Sequence, residues 1–168
     1  KELLKLCLES IESARGGLSL EVFVVDNDSR DGTNEMIVGD FPRVKFIPAG
    51  GNLGFARANN LALAEATGDY VLFLNPDTEV YDDTFTRALK LIKDRPKCGV
   101  LGPKMVFGDG SSQSSVRRFP TLTAITLMLL KLPKIFPHLP AVDRYLATDF
   151  DYTREQEVNQ VMGAFMLM

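Results

Sequence analysis

Short apolar runs that end in polar residues constrain the fold of this chain more than any other feature. Three runs, Leu20–Val25, Val44–Ile47 and Tyr70–Leu74, are rich in β-branched or aromatic residues and too short for helices. Helical patterns lie between them, for example over residues 55–66. Strands alternating with helices at this spacing predict an α/β domain with a mostly parallel sheet.

The rest of the chain agrees with this class. Helices are also predicted over residues 2–14, from about residue 31 to Val38, and over residues 81–94. Further strands are predicted near Val100 and Met105 and within residues 158–168, whereas residues 120–156 show no clear pattern. No linker divides the sequence, so residues 1–168 are predicted to form one domain. The expected buried face of the first helix comprises Leu3, Leu4, Cys7, Leu8 and Ile11.

Composition excludes several classes of protein. The net charge of −3 argues against nucleic-acid binding, which needs a basic excess. Two cysteines without metal-ligand spacing, Cys7 and Cys98, indicate reduced thiols in a cytoplasmic protein, and the single histidine, His138, argues against a hydrolytic triad. The apolar stretch 121–136 is too short to span a membrane. It fits an ordinary amphipathic helix, which its weak basic character favours, or an apolar helix that rests on a membrane surface or on a partner.

Polar clusters follow all three predicted strands. The first strand ends in Asp26-Asn27-Asp28, the loop after the second contains Asn52 and Gly54, and the third ends in Asn75-Pro76-Asp77. Ligands of open α/β sheets bind outside the carboxyl ends of the strands. The three clusters therefore predict a binding site at one edge of the sheet.

The chemistry of these clusters suits a nucleotide and a metal. Neither the GxGxxG dinucleotide motif nor a P-loop is present. A short Asp or Asn side chain at a strand end, such as Asp26, can bond the edge of a nucleobase. Asp77 can ligate Mg²⁺ or Mn²⁺, which prefer oxygen ligands and neutralise a diphosphate leaving group. From spacing alone, capping of an Asx-type turn explains Asp77 equally well.

Longer motifs resemble a known family. The segments FVVDNDSRDGT, NLGFARANNLAL, GDYVLFLNPDTEV, RRFPTL and VMGAFMLM follow one another along the whole chain. In this order they are similar to the landmarks of family 2 glycosyltransferases with the GT-A fold, above all the rhamnosyltransferase-like bacterial branch. The NPDT and NLGFARANN elements are the most specific of them.

The resemblance implies inverting transfer of a sugar from a nucleoside-diphosphate donor to a glycan or lipid-linked acceptor, in cell-surface polysaccharide synthesis at the inner face of the membrane. Asp77 would take the second position of the family's DXD metal motif, whose first position is Asn75 here. A neutral amide binds a cation less strongly than a carboxylate. The implied nucleotide-binding residues are Asp26, Asn27, Asn52, Gly54, Arg57, Asn59 and Asn75.

Two departures from the family make us expect a fragment truncated at both ends. Family members begin with a central strand ahead of the first helix, and they carry an acidic general base later than residue 168. Glu155 and Glu157 come too early for that role. A sheet without its central strand would be fragile, or completed by a second copy of the chain or a rearranged segment.

Three other interpretations stay open at this point. The chain could bind a nucleotide sugar without transferring it. A nucleotidyltransferase would need a Gly-rich basic loop, which GGNLGFAR imitates poorly. A receiver-like module would use Asp26 as phosphoacceptor, but the expected second acidic cluster and lysine are not clear.

Overall fold

The computed structural model describes all residues, Lys1 to Met168. They divide into two compact units, one formed by Lys1–Gly99 with Leu167–Met168 and the other by Val100–Met166. Helices and strands alternate through the first unit, as the sequence predicts, so the α/β class is confirmed. No helix combines the length and the apolar character needed to cross a bilayer.

The first unit contains every helix and strand predicted for it, with ends displaced by three residues or fewer. In chain order the elements are α1 (Glu2–Ser13), β1 (Phe23–Asp26), α2 (Thr33–Asp40), β2 (Lys45–Pro48), α3 (Gly54–Leu63), β3 (Leu72–Leu74) and α4 (Thr84–Lys93).

The strands of this unit form two-stranded sheets and not one continuous sheet. β1 lies parallel to β2, with Phe23 opposite Lys45 and Asp26 opposite Pro48. Val71, just before β3, exchanges both backbone hydrogen bonds with Met168 at 2.8 and 2.9 Å, the pattern of an antiparallel pair. The predicted parallel sheet is thus present as the β1–β2 pair, and the other edge of β1 carries no strand. Completion of the sheet by another segment stays a prediction.

Helix faces supply the core of the first unit. α1 buries Cys7, Leu8 and Ile11, and α4 buries a face that includes Phe85 and Ile92. Leu3, which the sequence pattern places on the buried face of α1, is 61% exposed because it lies in the first turn of the helix, before the buried stretch begins. The apolar area removed from water by these faces is the main force that holds the helices in place.

Glu21, two residues before β1, connects strand β2 with the segment that follows α3. Its carboxylate accepts hydrogen bonds from Lys45 Nζ at 2.9 Å and from the Thr67 amide and hydroxyl at 3.0 and 2.6 Å. The bond from Lys45, followed by those from Thr67, lowers the pKa of Glu21 from 4.5 to about 2. The stabilising interaction therefore requires the ionised carboxylate.

We expect Glu21→Gln to lower the midpoint of thermal unfolding most at neutral pH. A carboxylate whose pKa is lower in the folded state stabilises the fold above its unfolded pKa. This contribution is lost as the pH falls from about 4.5 towards 2, so the gap between wild type and variant should close over that range. Unfolding followed by circular dichroism from pH 7 downwards checks this, with Glu65→Gln as the exposed control. A gap that does not change with pH would contradict it.

The second unit is built from short strands and three short helical segments. In chain order they are β4 (Met105–Val106), β5 (Ser112–Gln113), β6 (Val116–Arg117), α5 (Leu122–Leu129), a 3₁₀ helix (Leu132–Lys134), α6 (Pro140–Leu146), β7 (Gln160–Val161) and β8 (Phe165–Leu167), of which Leu167 belongs to the first unit. β4 pairs antiparallel with β5, and β6 with β7. The strand expected near Val100 is reduced to a single bridge at Leu101, whereas the one at Met105 forms.

Candidate functional site

The first two polar clusters meet at the end of the β1–β2 pair. The Ala49 amide donates to the carbonyl oxygen of Asp26 at 2.9 Å, which extends the parallel ladder to the end of β1. The next residue, Asn27, accepts a hydrogen bond from the Leu53 amide through Oδ1 at 3.2 Å. The loop after β2 is therefore tied to the end of β1, as the sequence predicts from strand order.

The Asp26 carboxylate has a local partner. Both of its oxygens accept from the Ser29 amide, at 3.1 and 3.3 Å, which closes a turn after β1. The residue is half-buried. An ionised carboxylate has about four lone-pair sites, so this turn leaves acceptor capacity for a ligand.

The glycine-rich loop before α3 has a defined shape. Asn52 Oδ1 accepts from the Gly54 amide at 3.0 Å, and Gly54 has a φ of +74°, in the left-handed region that glycine adopts without strain. Asn52 thus holds the entry to α3. Its side-chain amide nitrogen donates no hydrogen bond within the chain.

Two further predicted contact residues, Arg57 and Asn59, lie on α3 after Gly54. Arg57 is exposed and forms no ion pair, so its guanidinium is available to an anion. Asn59 is half-buried, and its amide nitrogen donates to the Phe55 carbonyl one turn earlier at 2.8 Å. Of the two side chains, Arg57 has the greater freedom to meet a ligand.

The turn after β3 is held by backbone atoms and by α1. The carbonyl oxygen of Asn75 accepts from the Thr78 amide at 3.2 Å and from the Cys7 thiol at 3.8 Å. The Val80 amide donates to Ser10 Oγ at 3.1 Å, so the segment that follows the turn is also fixed to α1. No hydrogen bond or ion pair links this third cluster to the other two.

Asp77 does not maintain this turn. Its side chain is exposed and has no hydrogen bond or ion pair, while the neighbouring Thr78 is buried. In an Asx-type turn the carboxylate would accept from a backbone amide nearby, as Asp26 does. The geometry of the turn therefore does not depend on the negative charge of Asp77.

Burial raises the pKa of the Cys7 thiol to about 11, and repulsion by the carboxylates of Asp77 and then Glu79 adds to this effect. Cys7 is a neutral thiol, and neither Cys7 nor Cys98 is in a disulfide. Glu79 comes directly after the NPDT element. The sequence motifs do not single it out as a second carboxylate close to Cys7.

The carboxylates do not form a complete metal site on their own. No group of three or more His, Cys, Asp or Glu side chains in the chain is arranged to hold an ion. Asp77 offers one exposed carboxylate, and Asn75 beside it is half-buried. Such a site suits a cation that takes its remaining ligands from water and from a bound phosphate.

Solved structures with the GT-A type of architecture resemble this chain. Residues 1–349 of S. aureus TarS match with a TM-score of 0.57 and 27% identity, over 72% of this chain and 39% of that one. The mannosyltransferase PcManGT of Pyrobaculum calidifontis, solved with GDP-Man and Mn²⁺, matches with a TM-score of 0.55 and 29% identity, over 63% of this chain and 32% of that one. These likenesses confirm a GT-A-like α/β fold.

The glycosyl transferase family 2 profile matches residues 1–151, and the chain belongs to this family. An N-acetylglucosaminyl-diphospho-decaprenol L-rhamnosyltransferase of Mycobacterium tuberculosis is 32% identical over 114 residues, which is 61% of this chain and 37% of that protein. An N-acetylglucosaminyltransferase of Mesorhizobium japonicum is 35% identical over 101 residues, 57% of this chain and 24% of that protein. The matched part of the chain thus spans about a quarter to two fifths of the length of these relatives.

Proposed function

We propose that the chain is the donor-binding part of an inverting, metal-dependent glycosyltransferase. The observation that carries this proposal is the exposed carboxylate of Asp77, which has no hydrogen bond or ion pair, on a turn that other atoms hold in place. A charge that does not contribute to the turn, placed just after a strand of an α/β unit, is available to a ligand. The mannosyltransferase with GDP-Man and Mn²⁺ supports the same assignment by its similarity to this chain.

The nucleotide would bind at the end of the β1–β2 pair. Asp26 and Asn27 would contact base and ribose, because their short side chains are fixed by the Ser29 and Leu53 amides. Arg57 would bind the phosphates, since its guanidinium has no ion pair within the chain. The remaining contacts of the proposed pocket are Asn52, Gly54, Asn59 and Asn75.

Asp77 would hold Mg²⁺ or Mn²⁺ together with the diphosphate of the donor. The residues fit this arrangement because one carboxylate suffices for such an ion when phosphates and water complete its coordination. When bound, the ion neutralises the charge that develops on the diphosphate leaving group. Asn75 in place of a second carboxylate makes the affinity for the ion depend on Asp77 and on the donor.

Transfer also requires a base that takes the proton of the acceptor hydroxyl. No residue of this chain is assigned that role, so binding of the donor and transfer of its sugar are separate proposals. The names of the relatives, which include an O-antigen biosynthesis protein of Myxococcus xanthus and a succinoglycan biosynthesis protein of Rhizobium meliloti, support an acceptor in cell-surface polysaccharide synthesis.

Calorimetric titration of the chain with UDP-, dTDP- and GDP-sugars, each with and without Mn²⁺, tests the proposal. We expect at least one donor to bind with an affinity that rises about tenfold or more when Mn²⁺ is added. Equal affinity with and without the ion would contradict the role of Asp77. Absence of binding by any donor in either condition would contradict the assignment as a donor-binding part.

A further inference from the structure

Helix α5 leaves most of its apolar surface exposed. Of its residues only Ala124 is buried, at 0% exposure, although α5 contacts both α6 and the 3₁₀ helix. Leu122 and Leu129, seven residues apart and therefore on one helical face, are 88% and 77% exposed. The sequence pattern favours an ordinary packed helix here. In the structure α5 buries only one of its eight residues.

The exposed surface continues past the end of α5. Leu130 is 63% exposed and Ile135 is 69% exposed, within the segment that includes the 3₁₀ helix. We call Leu122, Leu129, Leu130, Ile135, Lys131 and Lys134 the apolar–basic face. Soluble monomers seldom expose large contiguous apolar patches, and those that exist usually bind a partner or a membrane.

The stretch of chain that contains this face is basic, whereas the chain as a whole is acidic. Residues 110–142 contain four of the 19 Lys and Arg residues and none of the 22 Asp and Glu residues, in a chain of net charge −3. Arg118 is neutralised by Asp149, at 2.6 and 3.0 Å. Lys131 and Lys134 are exposed and form no ion pair. The free positive charge therefore lies among the exposed leucines and isoleucine.

The composition of the face fits a lipid surface better than a protein partner. Protein interfaces are enriched in Tyr, Trp, Phe, Met and Arg and depleted of Lys, whereas lipid-facing helical surfaces combine Leu and Phe with Lys and Arg. Residues 110–142 contain no Tyr or Trp. Arg117 donates to Ser114 Oγ and to the Val116 carbonyl, and Arg118 pairs with Asp149, so the cations that have no partner within the chain are the two lysines. Lysine can bury its alkyl chain beside apolar groups while its ammonium reaches a phosphate headgroup. Anionic lipids attract such lysines, and aliphatic side chains enter the boundary of the acyl region.

We propose that the apolar–basic face docks this chain on the surface of a membrane that contains anionic lipids. The leucines and Ile135 enter the headgroup boundary, and Lys131 and Lys134 pair with lipid phosphates. This inference depends only on the surface of the second unit and is independent of the proposed donor site.

Co-sedimentation with vesicles tests the proposal. We expect the chain to bind phosphatidylglycerol vesicles about tenfold or more tightly than phosphatidylcholine vesicles, and binding to fall as salt rises. Leu122→Ser combined with Leu129→Ser should weaken binding about tenfold or more. The control is Leu3→Ser with Val38→Ser, which removes two other exposed helical side chains, 61% and 69% exposed. That control should bind as wild type does.

The role of charge is tested separately. Lys131→Gln with Lys134→Gln should lower affinity for phosphatidylglycerol vesicles on the order of tenfold, whereas Lys97→Gln with Lys104→Gln, which changes net charge equally, should not. Circular dichroism verifies that each variant is folded. Absence of binding to either vesicle, or equal loss in test and control variants, would overturn the proposal. Self-association abolished by the leucine substitutions, without binding to vesicles, would assign the face to a second copy instead.

Discussion

Replacing Asp77 by asparagine is expected to weaken binding of a nucleoside-diphosphate sugar at least about tenfold in the presence of Mn²⁺. Asparagine keeps the size and the carbonyl oxygen of the side chain and removes the charge that holds the cation. Even residues that only support a metal ligand typically change metal affinity ten- to hundredfold when mutated. The affinity of the variant should also become nearly independent of Mn²⁺. Calorimetric titration of donor with and without the ion measures both effects.

Stability of the Asp77→Asn protein should be unchanged, because the carboxylate makes no hydrogen bond or ion pair and the turn is held by the Asn75 carbonyl. Asp69→Asn, which removes another exposed carboxylate of the same unit, is the matched control and should bind donor as wild type does. A clear loss of thermal stability in Asp77→Asn would show that the carboxylate is structural. Unchanged, Mn²⁺-dependent binding by this variant would place the ion elsewhere.

Gly102→Ala is expected to destabilise the second unit by about 1–3 kcal/mol. A β-carbon at this position would lie 2.9 Å from Cγ1 and 3.0 Å from Cβ of Val161 in strand β7. Cβ of a valine cannot rotate away, so the backbone of β7 or of the Gly102 segment must move. The midpoint of thermal unfolding should fall by about 2–4 °C for each kcal/mol.

Gly108→Ala is the matched control for Gly102→Ala. A β-carbon at Gly108 meets no atom within 4 Å, and Gly108 does not have a positive φ. The two variants add the same methyl group within one unit, so they differ only in what that group touches. Equal unfolding midpoints for Gly102→Ala and wild type would show that β7 adjusts without cost and would contradict the close contact.

Local patterns were sufficient to predict the elements of the first unit. The apolar run before Asp26 and the run before Asn75 became strands β1 and β3, and the alanine-rich stretch after Gly54 became α3. Hydrophobic periodicity and turn-forming residues depend only on neighbouring positions, so a single sequence is enough to identify them. The convergence of the first two polar clusters also followed, because parallel strands end at a common edge.

Contacts between distant residues were not predictable in the same way. The bond from Leu53 to Asn27 and the bond from the Cys7 thiol to Asn75 join segments separated by 26 and 68 residues. Asp26 ends strand β1 and Asp77 lies three residues after the end of β3, yet only Asp26 closes a local turn. The segment after β3 is bonded instead to Cys7 and Ser10 of α1, a long-range contact that no local pattern encodes.

The position of α1 therefore matters for the candidate site. Cys7 and Ser10 on α1 bond to Asn75 and Val80, on either side of Asp77. The helix thus holds the segment on both sides of Asp77, while the carboxylate itself makes no hydrogen bond or ion pair. Such support lowers the free-energy cost of binding a ligand, because the entropy of ordering the turn is lost on folding rather than on binding.

The most direct measurement is anomalous X-ray scattering from manganese in crystals of the chain soaked with Mn²⁺ and a donor that binds. We expect a manganese peak about 2 Å from a carboxylate oxygen of Asp77 and equally close to an oxygen of the donor diphosphate. A bound donor whose manganese has no contact with Asp77, or an Asp77 carboxylate still turned to solvent beside a bound diphosphate, would contradict it.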